Sequence, residues 1–537
     1  MYSLNCVKKL LALTCLAILP SLAIGQTVVV MPYVQPGDVP SSSDKDSKVL
    51  HWFTEQKPAD YTVEYRVPEG RWLAAKAARI ALDFAELNVP EEKPKKDKPA
   101  DPPAKTDKDK ADKDKEEGDD PDTKKEPKVP LPPEKEQHFY KYTAVLSDLP
   151  LATEITYRVK QGDRLIREAA FRTRARLDQS VRCVLVGDMA QGRPYQHGVA
   201  YSIAQQKPDF LVALGDIVYP TGRINQYMHF YWETYNNTAK ADPNIGAPLM
   251  ASVPFYPVLG NHDIKAQLSR VPDALGAYYF FSPPKSGPGE GAWATPLDGD
   301  EATNAKFRAA NIDSYPFIDV YSFDNGPIHV VVLNVNPKMD LAAPELRKWL
   351  TDDLRAAKDR WKIVCYHMPG FHSSKNHYPE QQARALSPLF EEEGVNLTFA
   401  GHVHNYQRTV PIKFLPYTKQ PDAKQPDAKQ PDAKQPTKKI DGTFTLDTEF
   451  DGVKNTKPKG VIHIVSGGGG ASLYGPGLDK TKDALKKLFG TNYADYTAKM
   501  VADQHSFSVL DCSPNRLELR AINVKGEELD HIVIDKK

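Results

Sequence analysis

After about residue 180, hydrophobic residues fall in short, nearly continuous runs, and each run ends in a polar cluster. The five clearest runs cover residues 181–186, 210–214, 255–259, 362–366 and 396–400. Between them, residues 344–358 and 379–393 have helical periodicity, with Pro344 in a first turn and Gly394 as a C-terminal cap. Continuous apolar strands are typical of a sheet covered on both faces. The pattern predicts an α/β domain whose polar clusters lie at strand ends, where such folds gather ligands.

Before residue 180 the pattern alternates between apolar and polar positions, as in strands with one buried face. The alternating runs cover residues 51–55, 61–67, 139–146, 154–160 and 168–173. Their spacing predicts a small β-sandwich. A long charged segment separates the second run from the third, so we expect it in a loop between two strands.

Two segments have low complexity. Residues 91–136 hold 13 Lys, 16 Asp or Glu, 9 Pro and no aromatic residue, which leaves too little apolar surface to offset the entropy of ordering. We interpret them as a solvated, disordered insertion; the alternative is a polyelectrolyte tether to a charged surface. Residues 419–436 contain a tandem Lys-Gln-Pro-Asp-Ala repeat, whose regular prolines exclude a helix and favour an extended linker or loop.

The first 25 residues are predicted to be a Sec-type signal peptide. Lys8 and Lys9 precede an apolar stretch, 10–23, and Gly25 ends a small-x-small cleavage site. An uncleaved anchor is the alternative, but Pro20 interrupts the short apolar stretch. We therefore expect a secreted or periplasmic protein with no stable membrane insertion after cleavage.

Charge and cysteine content argue against two classes of protein, nucleic-acid-binding proteins and disulfide-rich domains. The chain has 70 basic and 70 acidic side chains, and this balance argues against nucleic acid as a partner. Outside the signal peptide three cysteines remain, Cys183, Cys365 and Cys512, which cannot all pair with one another. We expect Cys183 and Cys365, which lie in apolar runs, to be buried unpaired thiols.

Seven side chains at or just past the strand ends are typical metal ligands. They are Asp188, Asp216, Tyr219, Asn261, His367, His402 and His404. Taken singly, an aspartate in such a position is more typical of a turn, and a histidine is more typical of a side chain held by hydrogen bonds. Together they offer too many ligands for one small cation and suit two metals that share a carboxylate.

The motifs that carry these residues resemble a known superfamily. They are Gly187-Asp188, Gly215-Asp216-x-x-Tyr219, Gly260-Asn261-His262-Asp263, Val364-x-x-His367 and Gly401-His402-x-His404. This ordered set resembles the calcineurin-like metallophosphoesterases, and Tyr219 narrows the resemblance to the purple acid phosphatases. The resemblance implies an α/β fold, an αββα sandwich at residues 177–537, preceded at 26–176 by a fibronectin type III-like domain.

The same resemblance implies the metals and the reaction. Asp188, Tyr219 and His404 would hold Fe(III), with Asp216 bridging to a divalent Fe, Zn or Mn that is completed by Asn261, His367 and His402. An anionic tyrosinate oxygen stabilises the ferric state. A metal-bound hydroxide would attack small phosphate monoesters, which makes the predicted protein an exported acid phosphatase. The alternatives are a phosphodiesterase or nucleotide hydrolase with the same metals, and a binding protein with a dead phosphoesterase domain. A missing ligand would favour the last alternative, and none is missing.

Further residues receive roles from the resemblance. His262, next to a ligand, would bind phosphate with Asn261 and protonate the leaving group. His377 matches a position that contacts substrate, and His372 in the same loop is the alternative. The glycines at 467–470 indicate a tight turn near the site rather than a nucleotide cradle.

Two positions depart from the family pattern. Ala190 stands where the family has glycine, so its Cβ is expected to shift the turn after Asp188. Gln407 stands where glutamate is common, which puts a hydrogen bond behind the ligands in doubt.

Overall fold

The N-terminal part folds into two antiparallel sheets that pack face to face. The computed structural model describes residues 27–39, 43–57, 59–84, 137–417, 439–474 and 494–536. The strands are β1 (Val28–Pro36), β2 (Lys45–Glu55), β3 (Tyr61–Arg66), β4 (Leu73–Ala75), β5 (Ala77–Phe84), β6 (Gln137–Pro150), β7 (Glu154–Gln161) and β8 (Arg164–Arg172). The sheets have the orders β1-β2-β6-β5 and β4-β3-β7-β8. The alternating pattern correctly predicted strands here because each strand turns one apolar face to the shared core.

The segment that contains the predicted insertion connects two neighbouring strands of this sandwich. β5 pairs with β6 so that Phe84 lies opposite Gln137. The chain therefore leaves the sheet and returns to it between neighbouring strands, as the sequence predicts. The predicted signal peptide 1–25, the insertion 91–136 and the repeat 419–436 themselves lie outside the described residues.

The rest of the chain forms two larger mixed sheets. Their strands are β9 (Val181–Val186), β10 (Phe210–Ala213), β11 (Phe255–Pro257), β12 (Val320–Asn325), β13 (Ile328–Leu333), β14 (Trp361–Cys365), β15 (Leu397–Ala400), β16 (Tyr406–Thr409), β19 (Ile462–Ser466), β20 (Thr497–Val501), β21 (Ser506–Cys512), β22 (Arg516–Asn523) and β23 (Glu528–Asp535). The two remaining strands, β17 (Ile412–Pro416) and β18 (Gly442–Leu446), pair with each other in a separate sheet. The first sheet has the order β11-β10-β9-β21-β22-β23 and the second β12-β13-β14-β15-β19-β16-β20.

Helices cover the outer faces of both sheets. They are α1 (Tyr195–Gln206), α2 (Ile224–Gln226), α3 (Trp232–Tyr235), α4 (Gly276–Phe280), α5 (Glu301–Ala310), α6 (Pro344–Ala356) and α7 (Ser387–Glu392), with a π-helix at Tyr227–Tyr231 and 3₁₀ helices at Leu249–Ala251 and Gln382–Leu386. One apolar core lies between the sheets, one under α1 and one under α6. These layers confirm the predicted αββα arrangement. Among the described residues, no helix has the length and hydropathy needed to cross a bilayer.

Three expectations about the helices have different outcomes. Pro344 begins α6 as predicted. The single helix expected over 379–393 is wrong, because the segment forms a 3₁₀ turn followed by the short helix α7. Pro388 lies within the first two positions of α7. In a longer helix it would have no N–H to donate and its ring would meet the preceding turn. Gly394 follows the helix with φ +68°, as expected of a glycine cap.

The three described cysteines, Cys183, Cys365 and Cys512, are all buried and unpaired. This confirms the expectation for Cys183 and Cys365. The fold is therefore held by its apolar cores rather than by disulfide bonds among the described residues.

Candidate metal centre

The predicted site residues meet where the two large sheets come together. β9, β10 and β11 run parallel in one sheet, and β14, β15 and β19 run parallel in the other. At their carboxyl ends the two sheets are joined by a hydrogen bond from the Gly187 N–H to the Ser466 carbonyl oxygen, 2.9 Å long. This seam carries polar side chains from both sheets.

The backbone at the seam adopts conformations that aim side chains inward. Asp188, Asp216 and His402 have φ values of +61°, +48° and +67°, although none is glycine. Such left-handed residues are uncommon and cluster at functional sites. A Cβ on Gly215 would lie 2.5 Å from the His367 Nδ1, and one on Gly260 would lie 2.1 Å from the Asp216 Oδ1. These glycines let the ligand loops approach one another closely.

One group of ligand atoms gathers around the Tyr219 hydroxyl. That hydroxyl donates to the Asp188 Oδ1 at 3.0 Å and lies 3.0 Å from the His404 Nε2. The His404 Nε2 is 3.3 Å from the same carboxylate oxygen. All three side chains are buried. Burial and the charges of Asp188 and Asp216 raise the pKa of Tyr219 well above its usual value. A cation would have to displace the phenol proton, and this is what metal ligation of a tyrosine requires.

A second group of ligand atoms gathers around the His367 Nε2. This nitrogen lies 3.2 Å from the Asp216 Oδ1 and 3.2 Å from the Asn261 Oδ1. A ring nitrogen of His402 completes a cluster with Asp216 and His367 whose ligand atoms all lie within 4.8 Å of one another. Burial would lower the pKa of His367, but the Asp216 carboxylate raises it to about 9. These oxygens therefore favour a positive charge between them.

The outer nitrogen of each of the three histidines is already engaged. The His367 Nδ1 donates to the Leu214 carbonyl oxygen at 2.8 Å, and the His404 Nδ1 donates to the Ser472 carbonyl oxygen at 2.6 Å. The His402 Nε2 lies 2.7 Å from the Glu380 Oε2. Metal-binding histidines characteristically donate their other N–H to such an acceptor. The remaining nitrogens are His367 Nε2, His404 Nε2 and His402 Nδ1, so the donor set fits two metal ions.

His262 lies beside the ligands without joining them. Its Nδ1 donates to the Pro220 carbonyl oxygen at 2.6 Å, and its Nε2 lies 3.9 Å from the Asp216 Oδ2. Its backbone N–H donates to the Asp216 Oδ1 at 2.8 Å. The ring also contacts that of Tyr219, with centroids 4.5 Å apart. His262 is therefore held next to the ligand set with its Nε2 on that side.

Comparison with known proteins agrees with this geometry. Residues 181–406 match the family model described as calcineurin-like phosphoesterase. The matched part of the chain is termed the phosphoesterase domain after that model. The chain is 25% identical over 293 residues to purple acid phosphatase 1 of Ipomoea batatas, covering 52% of this chain and 55% of the relative. It is 26% identical over 297 residues to phosphoenolpyruvate phosphatase of Allium cepa, covering 52% of this chain and 54% of the relative. The chain thus spans about half the length of these two relatives.

A solved structure has the same fold. Purple acid phosphatase PPD1 from yellow lupin (Lupinus luteus) seeds matches 94% of this chain and 74% of its own, with a TM-score of 0.56 and 17% identity. This likeness extends over the N-terminal sheets as well as the phosphoesterase domain.

The two candidate substrate histidines occupy different surroundings in the phosphoesterase domain. The His377 ring lies against that of His402, with centroids 3.9 Å apart, and His377 is half-buried. His372 is buried; its Nδ1 accepts from the Ser374 N–H at 3.3 Å and its carbonyl oxygen accepts from the Tyr496 hydroxyl at 3.0 Å. Burial lowers the pKa of His372 to about 3, which keeps it neutral. The structure brings His377 to the ligand atoms, whereas the hydrogen bonds of His372 are made within its own loop and to Tyr496.

Two residues at this site were missed by sequence reasoning. Glu380 bonds both His402 and His377, and the only local signal was an acidic residue three positions after a histidine. Tyr474 stacks on His404 with centroids 4.1 Å apart and planes at 6°, and its hydroxyl lies 3.2 Å from the His377 Nε2. Tyr474 follows the glycine run, in which the Gly469 N–H donates to the Gly187 carbonyl oxygen; the next residue, Ala471, donates its N–H to the Asp188 carbonyl oxygen. The predicted turn therefore lies at the site.

The two departures from the family pattern are accommodated. The Ala190 N–H donates to the Ile217 carbonyl oxygen at 3.1 Å, and its carbonyl oxygen accepts from the Tyr219 N–H at 3.0 Å. Its φ is not among the positive values, so glycine is not required there. The Gln407 Oε1 accepts from the Ser373 N–H at 2.7 Å, and its Nε2 donates to Ser374 and Asn405 at 2.9 Å each. The amide thus replaces a carboxylate in a buried polar network.

Proposed function

We propose that this protein is an exported dinuclear metallophosphatase that hydrolyses phosphate monoesters. The observation that carries the proposal is the pair of ligand groups at the seam, one around Tyr219 and one around the His367 Nε2. Each group contains side chains from both sheets, and the Nε2 atoms of His404 and His367 lie within their respective groups. Each group combines buried carboxylate and imidazole donors with a phenol or an amide oxygen, which are donor types that bind metal ions in proteins.

Each ligand group suits one ion. Asp188, Tyr219 and His404 would hold Fe(III), which favours hard anionic oxygens. Asp216 would bridge to a divalent Fe, Zn or Mn held also by Asn261, His367 and His402. When bound, the two ions supply an activated water nucleophile and positive charge for the phosphate oxygens.

The positions of three further residues support monoester hydrolysis. Asn261 and His377 are half-buried and mark the open side of the site, where the phosphate would bind. His262 donates from Nδ1 to Pro220, which fixes its ring and leaves Nε2 to transfer a proton to the leaving alkoxide. The Allium cepa relative is named a phosphoenolpyruvate phosphatase, and that substrate is a monoester.

Two further parts of the proposal concern the whole chain. Residues 1–25 would direct export and be removed, leaving a mature protein that begins at Gln26. Residues 26–176 would form a fibronectin type III-like domain and residues 177–537 the catalytic domain. Amino-terminal sequencing of the protein recovered outside the cytoplasm tests the cleavage site directly.

Metal analysis and substrate ratios test the proposed activity. The purified protein should contain iron and a second metal, show a visible charge-transfer band, and hydrolyse p-nitrophenyl phosphate much faster than bis-p-nitrophenyl phosphate. Tyr219→Phe should remove the band, while Tyr315→Phe, at a hydroxyl that contacts Glu290 and Thr295, serves as the control. A preference for the diester would replace the monoesterase proposal with a phosphodiesterase. A colourless protein with two equivalents of zinc or manganese would refute the ferric assignment alone.

A further inference from the structure

One carboxylate joins a proposed metal ligand to a proposed substrate-binding residue. The Glu380 Oε1 lies 3.0 Å from the His377 Nδ1, and the Glu380 Oε2 lies 2.7 Å from the His402 Nε2. The two imidazole rings lie side by side, with centroids 3.9 Å apart. Each oxygen of the carboxylate therefore serves a different histidine.

The local backbone fixes this arrangement. The Glu380 N–H donates to the His377 carbonyl oxygen at 2.9 Å, which closes a turn between the two residues. His377 itself has a φ of +64°, a conformation that non-glycine residues seldom adopt. The turn thus directs the glutamate and the histidine three residues before it to the same side, toward His402.

The carboxylate also determines which nitrogen of each ring carries the proton. An ionised carboxylate only accepts hydrogen bonds, so both bonded nitrogens must be N–H groups. His402 then keeps its Nδ1 lone pair for a metal, and His377 keeps Nε2, which lies 3.2 Å from the Tyr474 hydroxyl. Loss of the carboxylate would release both rings together.

We infer that Glu380 is a positioning residue that sets the ring orientation and tautomer of His402 and His377 at once. The inference deepens the proposed function and rests on it. In this role Glu380 contacts neither the substrate nor a metal. It couples occupancy of the second metal site to binding of the substrate phosphate, because both depend on the same pair of oxygens.

Three variants separate this role from simpler ones. In Glu380→Gln the side chain is neutral and offers a single acceptor oxygen, so both N–H groups lose the charge of the carboxylate and one of them also loses its acceptor. His377→Ala removes only the substrate side of the pair. Glu392→Gln is the matched control, since its side chain is 73% exposed and lies 3.7 Å from Arg355.

The first measurement uses metal-free protein titrated with Zn²⁺ against a chromophoric chelator. Loss of a hydrogen-bonding partner behind a ligand typically weakens metal binding about 10–100-fold. We expect that loss for the second equivalent of Zn²⁺ in Glu380→Gln, with the first equivalent unchanged. His377→Ala and Glu392→Gln should keep both equivalents. With metals at saturation, KM for p-nitrophenyl phosphate should rise in Glu380→Gln and in His377→Ala but not in the control.

Several results would overturn the inference. If Glu380→Gln binds two equivalents like the wild type, Glu380 does not position His402. If only its KM changes, the carboxylate serves His377 alone. A third equivalent that disappears in Glu380→Gln would make His377, Glu380 and His402 a separate metal site. Wild-type protein that binds no second metal and hydrolyses no phosphate ester refutes the proposed function instead.

A measurement on the wild type avoids dependence on the folding of any variant. Long-range ¹H–¹⁵N spectra of metal-free protein with labelled histidine report the tautomer of each ring. We expect His402 protonated at Nε2 and His377 at Nδ1. The opposite tautomer at either ring contradicts the inference.

Discussion

The Asp216 carboxylate interacts with two histidines at this seam. Its Oδ1 accepts the His262 N–H at 2.8 Å and lies 3.2 Å from the His367 Nε2. Burial would raise the pKa of Asp216, but the imidazoles of His367 and His262 hold it below its usual range. The carboxylate is therefore ionised throughout the physiological range and available to two cations. His262 is kept close to this charge by hydrogen bonds that leave its Nε2 available.

The role of His262 can be tested by the choice of leaving group. In His262→Ala, hydrolysis of an alkyl phosphate should slow by roughly 10²–10⁴-fold, because an alkoxide leaves poorly without a proton. Hydrolysis of p-nitrophenyl phosphate should slow far less, since nitrophenolate leaves unaided. Steady-state kinetics on both substrates, with metal content measured in parallel, make the comparison. Equal slowing of both would show that His262 only positions phosphate.

At the scale of elements, the two loops that carry the ligands are held together by buried polar groups. Gln407 in β16 bonds Ser373 and Ser374 of the loop that ends in His377, and Asn405 donates to the Ser374 hydroxyl at 3.0 Å. Fully satisfied networks of this kind specify one geometry, and partly satisfied ones are costly. The residue that departs from the family pattern is thus matched to its neighbours.

Restoring the family's glutamate should therefore harm this protein. Gln407→Glu removes two donated hydrogen bonds and places a carboxylate beside the Asn405 Oδ1. We expect a loss of about 1–3 kcal/mol in the free energy of unfolding, from groups left unsatisfied. Urea denaturation at pH 7 measures it, with the exposed Gln205→Glu as control. Unchanged stability would mean that the network rearranges around the new carboxylate.

A buried histidine in β13 links this strand to β12 and α6 and makes the association of the three elements depend on pH. His329 in β13 lies 2.7 Å from Asp324 in β12 and 3.0 Å from Asp353 in α6, and Arg360 also contacts Asp324 at 3.2 Å. Burial would lower the pKa of His329, but hydrogen bonds to Asp324 and Asp353 raise it to about 9. Because the folded pKa lies above the unfolded value, this stabilisation is complete below about pH 6.5 and disappears as the pH rises through about 9.

The variant His329→Gln should lack this pH dependence. The shift corresponds to roughly 3 kcal/mol, at about 1.4 kcal/mol for each pKa unit. The difference in unfolding free energy between wild type and variant should be largest near pH 6 and shrink by that order at pH 10. Urea denaturation at several pH values measures the difference, which removes the contribution of groups that titrate in both proteins. A constant difference across this range would contradict the assignment.

Features that depend on neighbouring residues in the sequence could be predicted, whereas features that depend on contacts between distant segments could not. The seven candidate ligands could be proposed from the sequence because each lies at or just past a strand end in a local Gly- or His-containing motif, as with Asp188 and His402. Glu380 and Tyr474 were missed because their contacts form between loops that are remote in sequence. The helix expected over 379–393 was wrong because apolar periodicity outweighed Pro388, although proline alone excludes a continuous helix there.

For the whole molecule, metal binding and folding should be linked. Asp188, Tyr219, Asp216 and Asn261 come from loops of the first sheet, while His367, His402 and His404 come from the second. Ions bound by both sheets stabilise only the folded chain. The gain is about 4 kcal/mol when free metal exceeds its dissociation constant 1,000-fold.

Removal of the metals should therefore lower the melting temperature of the entire phosphoesterase domain. Calorimetry of the protein with and without a chelator should show a downward shift that added metal reverses. Asp216→Ala, which lacks the shared ligand, should respond far less to the chelator. An identical response in the variant would indicate that the stabilising ions bind elsewhere.

The position of the ligands across the sheet seam also has a consequence for biogenesis. A chain exported unfolded, as proposed, would have neither ligand group while it crosses the membrane, since no single sheet supplies all the donors of either one. Metal would then bind only after both sheets have packed against each other. Partly assembled chains would neither retain the ions nor acquire the nucleophile that depends on them. The enzyme would become active only in the compartment where it finishes folding.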